Sequence, residues 1–310
     1  MTTGGGENKT ENENLVNADT RTIGQFEVGA LGFGCWRFVN TDVKTATERL
    51  TSALDHGLKL VDNADVYGLD WGGTAFGEAE ALLGEVLAAS PHLRDRMVLA
   101  SKGSILPGVP YVANHAYLAA ACDASLARMQ TTHIDLYQIH RPDMFTHPAE
   151  TAAALDALVA AGKILTIGVS NYTPAQVRAL AAHLKAPLVA LQCEYSLANL
   201  AMLRDGNLDL CMEMGITPLA WSPLGGGALI TETGLPPALY EVCDRLATRE
   251  NTDQANIALA FVLAHPSRPV ALIGSQNPTR MAQASKAAQV TLTRADIYDL
   301  IEARDGVPLP

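Results

Sequence analysis

Residues 45–67, TATERLTSALDHGLKLVDNADVY, contain one complete unit of the pattern on which the fold depends. An amphipathic stretch of helical length, Thr45–His56, is followed by a glycine, which commonly terminates helices because it adopts left-handed backbone angles at little cost. The apolar run Leu58–Val61 then predicts a buried strand. Asp62 and Tyr67 follow the end of this strand. The unit therefore places a carboxylate and a phenol, which could together move a proton, just beyond a buried strand.

The same alternation of apolar runs and amphipathic stretches recurs along the chain. Alternating strands and helices predict parallel βα units, and eight such units in about 280 residues are typical of a (β/α)₈ TIM barrel of the α/β class. A doubly wound sheet is the competing architecture, but it usually has five or six strands and a Gly-rich dinucleotide motif that this sequence lacks. The predicted strands are Gly29–Phe33, Leu58–Val61, Met97–Ala100, Ile134–Ile139, Leu165–Val169, Leu188–Leu191, Ile216–Trp221 and Val270–Ile273.

Two further segments lie outside the eight units. Residues 1–20 are rich in Gly, Asn, Glu and Thr and can bury little apolar surface, so we expect a disordered tail there and a single barrel domain over residues 21–310. Thr293–Ala303 predicts an extra C-terminal helix. The helices predicted between strands include Thr45–His56, Glu78–Ala89, Asn114–Met129, Pro148–Ala161 and Pro174–His183.

Composition restricts the class of protein. The chain has 310 residues with a formal net charge of −11, which argues against nucleic acid or an anionic membrane as the main partner. The sequence has neither an apolar run of about 20 residues nor the pattern of a signal peptide, so we expect a cytoplasmic protein with a small-molecule partner. Its five cysteines form no CxxC and no zinc-type spacing with histidine, which favours reduced thiols and no metal site.

Polar residues close most of the predicted strands, and in a barrel these strand ends meet at one mouth. Lys102 and His140 end the third and fourth strands. An ammonium group beside Tyr67 would lower the pKa of the phenol, and Asp62 would hold that ammonium in place. A histidine nearby could hydrogen-bond a substrate carbonyl. The other strand ends contribute Ser170, Asn171, Gln192, Trp221, Ser222 and Ser275.

Seven motifs, in this order along the chain, resemble those of the aldo-keto reductase superfamily, in particular a bacterial branch of oxidoreductases. They are VDNADVYG (61–68), SK (101–102), DLYQIHRPD (135–143), GVSNYT (168–173), LQCEYS (191–196), AWSPLGGG (220–227) and IGSQNPTR (273–280). The resemblance covers the chain from about Thr22 to the C-terminal helix. It implies a barrel that binds NADP(H) across its mouth and transfers hydride between nicotinamide and a carbonyl or secondary alcohol.

The resemblance also implies a role for individual residues. Tyr67 would be the general acid/base, Lys102 would tune its pKa, Asp62 would pair with Lys102, and His140 would orient the carbonyl. Trp36 would join Tyr67 and His140 in contacting the substrate. Arg141 is a departure from the family, since several relatives have a tryptophan after the histidine. We expect Arg141 to make that side of the substrate pocket less apolar, which argues against a preference for aromatic aldehydes, and Trp71 could restore an aromatic surface there. The residues implied in cofactor binding are Gly34, Cys35, Trp36, Asp62, Ser170, Asn171, Gln192, Trp221, Ser222, Leu224, Gly226, Ser275, Gln276, Arg280 and Gln283.

The sequence departs from the family pattern in the last motif. Gly274 and Ala284 stand where many relatives have a lysine and an asparagine. Arg280 remains and is suited to the 2′-phosphate of NADP, so we expect a preference for NADP(H), with NAD(H) possible. Asp65 and Asp143 are interpreted as loop or capping residues.

Two other functions compete with that of a reductase. A metal-dependent barrel hydrolase would need further histidines at strand ends, such as an HxH on the first strand, and the sequence has none. A cofactor-binding regulatory protein, in which a reductase barrel senses NADP(H) for a partner, is the alternative that stays open. The sequence does not reveal the substrate, the direction of the reaction or the oligomeric state.

Overall fold

The computed structural model describes residues 13–69 and 72–309 and shows a closed barrel of eight parallel strands. The barrel order is β3 to β9 in sequence, and β10 closes the ring by pairing with both β9 and β3. The strands are β1 (Arg21–Ile23), β2 (Phe26–Val28), β3 (Leu31–Gly34), β4 (Leu60–Asp62), β5 (Val98–Gly103), β6 (Ile134–Ile139), β7 (Ile164–Ser170), β8 (Leu188–Glu194), β9 (Thr217–Trp221) and β10 (Val270–Ile273). The predicted (β/α)₈ fold is confirmed.

The eight barrel strands coincide with the eight predicted apolar runs, with boundaries that differ by a few residues. Ile134–Ile139 and Val270–Ile273 have the predicted bounds, whereas β5 and β8 extend three residues beyond them. The extensions carry polar residues that point into the barrel mouth, such as Lys102 and Gln192. An apolar run therefore shows where a strand is buried, while its hydrogen-bonded ladder continues into the polar residues of the mouth.

Helices surround the barrel, and their first residues follow ordinary capping chemistry. Asn114 accepts a hydrogen bond from the Tyr117 N–H, and Thr173 forms a capping box with Gln176 ahead of a proline in the first turn. The helices in the described residues are α1 (Val43–Asp55), α2 (Glu78–Ala89), α3 (His115–Met129), α4 (Pro148–Ala160), α5 (Pro174–Ala181), α6 (Ala201–Arg204), α7 (Asn207–Met214), α8 (Ala228–Thr231), α9 (Pro237–Arg249), α10 (Gln254–Leu263), α11 (Pro278–Ala284) and α12 (Arg294–Asp305). The predicted C-terminal helix is α12.

Within the described residues, no helix combines the length and apolar character that crossing a bilayer would require.

The hairpin formed by β1 and β2 is absent from the sequence prediction. Each strand has three residues, which is too short for a hydrophobic period to be visible. Ile23 and Val28 from this hairpin are buried with Leu60, Leu136 and other side chains in the cluster that fills the barrel interior. The hairpin therefore closes the barrel at the end opposite the mouth.

The predicted disordered tail is wrong for residues 13–20. The Leu15 N–H donates to the carbonyl oxygen of Leu292 at 2.8 Å, and Val16 is buried in the layer between strands and helices. The Arg21 guanidinium is buried and donates to the carbonyl of Pro269 and to the side chain of Asn17. These contacts tie the segment to the barrel because they satisfy its backbone groups and bury an apolar side chain. Residues 1–12 of the predicted tail lie outside the described residues.

The close approach of α2 to α3 depends on Gly84. A Cβ atom at this position would overlap the carbonyl oxygen of Arg128 in α3. We expect Gly84→Ala to destabilise the protein by about 1–3 kcal/mol, because overpacking outweighs the gain of roughly 1 kcal/mol that alanine brings to a helix. The free energy of unfolding, measured by urea titration, checks this. Glu85→Ala, on the exposed side of the same helix, is the control and should change it by less than about 0.5 kcal/mol. A stabilised Gly84→Ala variant would contradict the close contact.

Candidate active site

The carboxyl ends of the barrel strands open into a cleft of about 940 Å³. Its lining combines residues from the ends of several strands with residues from the loops that follow them, as expected for this fold. The predicted site residues that line the cleft are Gly34, Trp36, Asp62, Tyr67, His140, Arg141, Ser170, Asn171, Gln192, Trp221, Ser222, Leu224, Gly226, Ser275, Arg280 and Gln283. Side chains that are distant in sequence are thus brought to one face.

Lys102 lies beneath the cleft and connects the predicted catalytic residues. Its ammonium group donates to Asp62 Oδ2 at 2.7 Å, to the carbonyl oxygen of Asn63 at 3.0 Å and to Tyr67 Oη at 3.2 Å. These bonds use all three of its protons. Because the Lys102 side chain is fully buried, the bonds replace the hydration that burial removes. Lys102 can therefore adopt one orientation only, and that orientation includes the phenol.

The second oxygen of Asp62 is held by two amides. Gln138 Nε2 donates to Asp62 Oδ1 at 3.1 Å, and Gln192 Nε2 donates to the same atom at 3.0 Å. Gln138 is absent from the predicted site, although the sequence contains a signal for it. It lies two residues before His140 on β6, so the alternation of a strand places both side chains on the inner face. A buried glutamine on the inner face of a barrel strand indicates a polar network there.

Burial is the largest influence on the pKa of Tyr67 and raises it above its ordinary value. Lys102 lowers it, as predicted, but by less than burial raises it. For Lys102 itself, burial acts to lower the pKa, whereas Asp62 and Tyr67 raise it by more. At neutral pH the site therefore holds a protonated phenol beside a charged ammonium. This is the state from which a phenol can donate a proton.

His140 lies edge-on to Tyr67, with ring centroids 5.8 Å apart. Burial, and then the charges of Lys102 and Arg141, hold the pKa of His140 well below its ordinary value. The imidazole is consequently neutral at physiological pH. A neutral ring has one N–H to donate to a substrate oxygen and does not compete with Tyr67 as a source of protons.

The predicted nicotinamide residues form a connected group on the other side of the cleft. Asn171 Nδ2 donates to the carbonyl oxygen of His140 at 3.2 Å and to Ser170 Oγ at 2.8 Å. Trp221 Nε1 donates to Asn171 Oδ1 at 3.2 Å, which fixes the plane of the indole. Asn171 itself has a positive φ of 59°, a conformation that asparagine tolerates. The Trp221 ring is thereby oriented before any ligand binds.

The AWSPLGGG segment curves over one end of the cleft. Gly225, Gly226 and Gly227 all have positive φ, and no heavy atom lies within 4 Å of where a Cβ of Gly226 or Gly227 would stand. Glycine permits this backbone path and leaves its N–H groups accessible to a ligand. The arrangement suits a loop that crosses a pyrophosphate.

Two residues that the sequence predicts to contact a ligand, Cys35 and Gln276, are not found in the cleft lining. Cys35 is fully buried in the core and does not line the cleft, because its thiol packs as a small apolar group. Gln276 also lies off the cleft, and its amide donates to the carbonyl oxygen of Gly34 at 3.1 Å, joining the ends of β10 and β3. Neither side chain lines the cleft, and their contact with the cofactor stays a prediction. Trp71, which the sequence also predicts to contact a ligand, lies outside the described residues.

Several cleft residues were not predicted. They include Arg37, Val66 and Ile105, and also Glu232 and Asp253 from later loops. Their positions depend on loop conformation, for which the sequence has no periodic signal. Asp143 is confirmed as a loop residue, since its carboxylate accepts hydrogen bonds from the backbone N–H groups of Ala113 and Phe145.

Clusters of three or more metal-ligating side chains are absent from residues 13–69 and 72–309.

The fold and this site define a barrel oxidoreductase, and comparison with known proteins agrees. The model of the "Aldo/keto reductase family" matches residues 30–305, and the chain belongs to this family. A 6-dehydroglucose reductase from Novosphingobium aromaticivorans is 43% identical over 91% of this chain and 94% of its own length. A second protein of that name, from Agrobacterium fabrum, is 33% identical over 89% of this chain and 94% of its own. The crystal structure of an aldo/keto reductase from Klebsiella pneumoniae in complex with NADP and acetate is similar at a TM-score of 0.78 and 26% identity, covering 95% of this chain and 98% of that one.

Proposed function

We propose that this protein reduces the aldehyde group of an oxidised sugar, with hydride from NADP(H) and a proton from Tyr67. The observation that carries the proposal is the bond between Lys102 Nζ and Tyr67 Oη at 3.2 Å, beside a neutral His140 at the wall of the cleft. A protonated phenol held by an ammonium group is suited to protonating an alkoxide. The family supports the reaction class, and the geometry supports these residues as the catalytic ones.

A sugar substrate is supported by two observations. Two similar proteins are named 6-dehydroglucose reductase, a name that describes a hexose carrying an additional carbonyl. Arg141 lines the cleft next to His140, and its guanidinium forms no hydrogen bond or ion pair with another described side chain. A guanidinium with free N–H groups suits the hydroxyl oxygens of a sugar better than the surface of an aromatic aldehyde.

The residues of the cleft fit a nicotinamide cofactor. Trp221 presents an oriented aromatic plane, and Gln192 has a side-chain oxygen free to accept after its amide protons are used by Asp62 and Gln138. Arg280 is exposed at the start of α11 and forms no ion pair with any described carboxylate. It is therefore available for the 2′-phosphate of NADP, which supports NADP(H) as the preferred cofactor. The cofactor, when bound, supplies the hydride.

The protein residues perform the remaining steps. His140 donates a hydrogen bond to the carbonyl oxygen and orients it toward Tyr67. As negative charge develops on that oxygen, Tyr67 transfers its proton to it, and Lys102 stabilises the phenolate that remains. Asp62 keeps the ammonium in place during this change. Because hydride and proton arrive at different atoms of the same carbonyl, the product is an alcohol.

We expect Tyr67→Phe to lower kcat for aldehyde reduction by roughly 10²–10⁴-fold, because no other group at this position donates a proton. The dissociation constant of NADPH, measured by quenching of tryptophan fluorescence, should change by less than about twofold, since the ring and its packing remain. Tyr172→Phe, a buried tyrosine away from the cleft, is the control. Normal turnover in Tyr67→Phe would remove Tyr67 from its role.

The same assay on the unmodified protein decides between the proposed function and the regulatory alternative. A panel containing a hexose C6-aldehyde, methylglyoxal and benzaldehyde should include at least one carbonyl that is reduced. Tight binding of NADPH without reduction of any of them would overturn the proposed reaction and favour a cofactor sensor.

Arg280→Ala should raise the dissociation constant of NADPH by about 10–100-fold, because a charge-assisted hydrogen bond to the phosphate is worth roughly 1.5–3 kcal/mol. NADH has no 2′-phosphate, so its dissociation constant should change by less than about twofold. Fluorescence quenching measures both. Arg294→Ala, at the start of α12, serves as a control for the loss of an exposed positive charge. Equal weakening of both cofactors would contradict a contact with the 2′-phosphate.

Arg141→Met should raise KM for a hexose C6-aldehyde by roughly tenfold and leave KM for benzaldehyde within about twofold. The reason is that methionine keeps the apolar length of the side chain and removes its hydrogen-bond donors. Arg141→Lys, which retains the charge, should lie between the two. Steady-state kinetics with both aldehydes checks this. An equal rise for both substrates would show that Arg141 shapes the cleft and does not recognise hydroxyl groups.

A further inference from the structure

The loop between β4 and Tyr67 contains a second buried acid, Asp65, which the proposed reaction does not use. Asp65 is 1% exposed. Its backbone N–H donates to the carbonyl oxygen of Lys102 at 3.0 Å, so the loop that carries Tyr67 is attached at this point to the strand that carries Lys102. Asp65 therefore lies between two catalytic residues along the chain without lining the cleft.

The Asp65 carboxyl is poorly supplied with hydrogen-bond donors, since the backbone N–H of Val66 is its main one. Asp65 Oδ1 is buried without a hydrogen-bond partner in the described part of the chain, and the same holds for Tyr137 Oη. Both groups lie beside Gly103: Asp65 Oδ2 is 3.5 Å from the point where a Cβ of Gly103 would stand, and Tyr137 Oη would overlap that Cβ. The absence of a side chain at Gly103 leaves the space that the Tyr137 hydroxyl occupies next to the Asp65 carboxyl.

A second phenol nearby, that of Tyr117, already donates its proton elsewhere. Tyr117 interacts with the Asp65 carboxyl, but its hydroxyl donates its single proton to the carbonyl oxygen of Ile105 at 3.0 Å. It can therefore offer Asp65 only a lone pair. A neutral carboxylic acid satisfies this arrangement, because its own O–H donates to a phenol oxygen.

The net effect of burial and of the charges around Asp65 also favours the neutral acid. Burial has the largest influence on the pKa of Asp65 and raises it, Glu80 on α2 raises it as well, and the net pKa is about 8. Arg128 on α3 and Lys102 on β5 lower it, as does the backbone N–H of Val66. Arg128 is already paired with Glu80, and Lys102 with Asp62, so neither is available as a direct partner for Asp65.

We propose that Asp65 is a positioning residue that works as a neutral carboxylic acid, holding the Tyr67 loop against the strand of Lys102, and that its ionisation disables proton transfer by Tyr67. The inference rests on the proposed function of Tyr67. The neutral acid leaves the pairing of Lys102 with Asp62 undisturbed. A second carboxylate would add negative potential at Lys102 and Tyr67, which opposes the influence of the ammonium on the phenol. It would also place its negative charge against the lone pairs of Tyr117 Oη, whose proton is used by Ile105.

The test compares Asp65→Asn with Asp65→Ala. Asparagine imitates the neutral acid in shape and hydrogen bonding and cannot ionise. In the unmodified protein, kcat should fall by roughly tenfold between pH 7 and pH 9, as expected for loss of a proton with a pKa of about 8. In Asp65→Asn, kcat at pH 7 should remain within about twofold and the fall to pH 9 should be less than about twofold. In Asp65→Ala, kcat at pH 7 should fall by roughly tenfold, while the dissociation constant of NADPH stays within about twofold.

Asp143→Asn is the matched control. Asp143 is also a loop carboxyl at this face of the barrel, but the net effect of its surroundings lowers its pKa, so neutralising it should not alter the alkaline fall in kcat. An alkaline fall in Asp65→Asn equal to that of the unmodified protein would overturn the proposed role of ionisation. Full activity in Asp65→Ala would overturn the positioning role.

Thermal unfolding tests the protonation state without any substrate. Because the folded pKa of about 8 lies above the unfolded value of about 4, the folded protein retains a proton that the unfolded chain releases, and stability declines as the pH rises through this interval. The Tm of Asp65→Asn minus that of the unmodified protein should therefore increase from pH 5 to pH 8 and level off above it. A constant difference would show that Asp65 is already ionised. This result does not depend on turnover, so it separates failure of this inference from failure of the proposed reaction.

Discussion

The buried ion pair between Lys102 and Asp62 is the interaction on which the site depends. Removing two charges from water costs several kcal/mol for each ion, and the attraction between them offsets this only when their other hydrogen-bonding groups are satisfied. Here Lys102 uses its remaining protons on Asn63 and Tyr67, and Asp62 accepts from Gln138 and Gln192. These hydrogen bonds offset the cost of burying the two charges, and they hold both side chains in one position. The Tyr67 phenol is held in place in the same way, because its oxygen is the third acceptor of the Lys102 ammonium group.

The barrel makes the network possible by bringing strand ends together. Asp62 ends β4, Lys102 lies near the end of β5, and Gln192 lies near the end of β8, so the three share a mouth although 130 residues separate Asp62 from Gln192. The opposite end is closed by apolar side chains of the hairpin and the barrel interior. The two ends of the barrel therefore differ: apolar side chains at the closed end stabilise the fold, and the polar residues of the candidate site lie at the mouth.

Much of this could be predicted from the sequence, and the exceptions have physical reasons. The eight buried strands, the capped helices and the positions of the four residues proposed as catalytic follow from apolar runs and from the polar residues at or just beyond their ends. The hairpin β1–β2 was missed because strands of three residues show no hydrophobic period. The segment 13–20 was wrongly predicted to be disordered because its few apolar side chains pack on a surface that only the folded barrel provides. Cys35 and Gln276 lie off the cleft, since a motif identifies a position in the chain but not the direction of its side chain.

The sequence by itself determined the order of strands and helices and the set of polar residues at the strand ends, because these depend on local hydrophobic pattern. Only the tertiary structure decided which polar residues hydrogen-bond to one another and which have buried atoms without a hydrogen-bond partner. Gln138 becomes part of the site because its amide reaches Asp62 across the barrel. Burial outweighs Lys102 in setting the pKa of Tyr67, and it leaves Asp65 Oδ1 without a hydrogen-bond partner near two phenols. Solvation and the geometry of hydrogen bonds are properties of the assembled molecule, and no local stretch of sequence contains them.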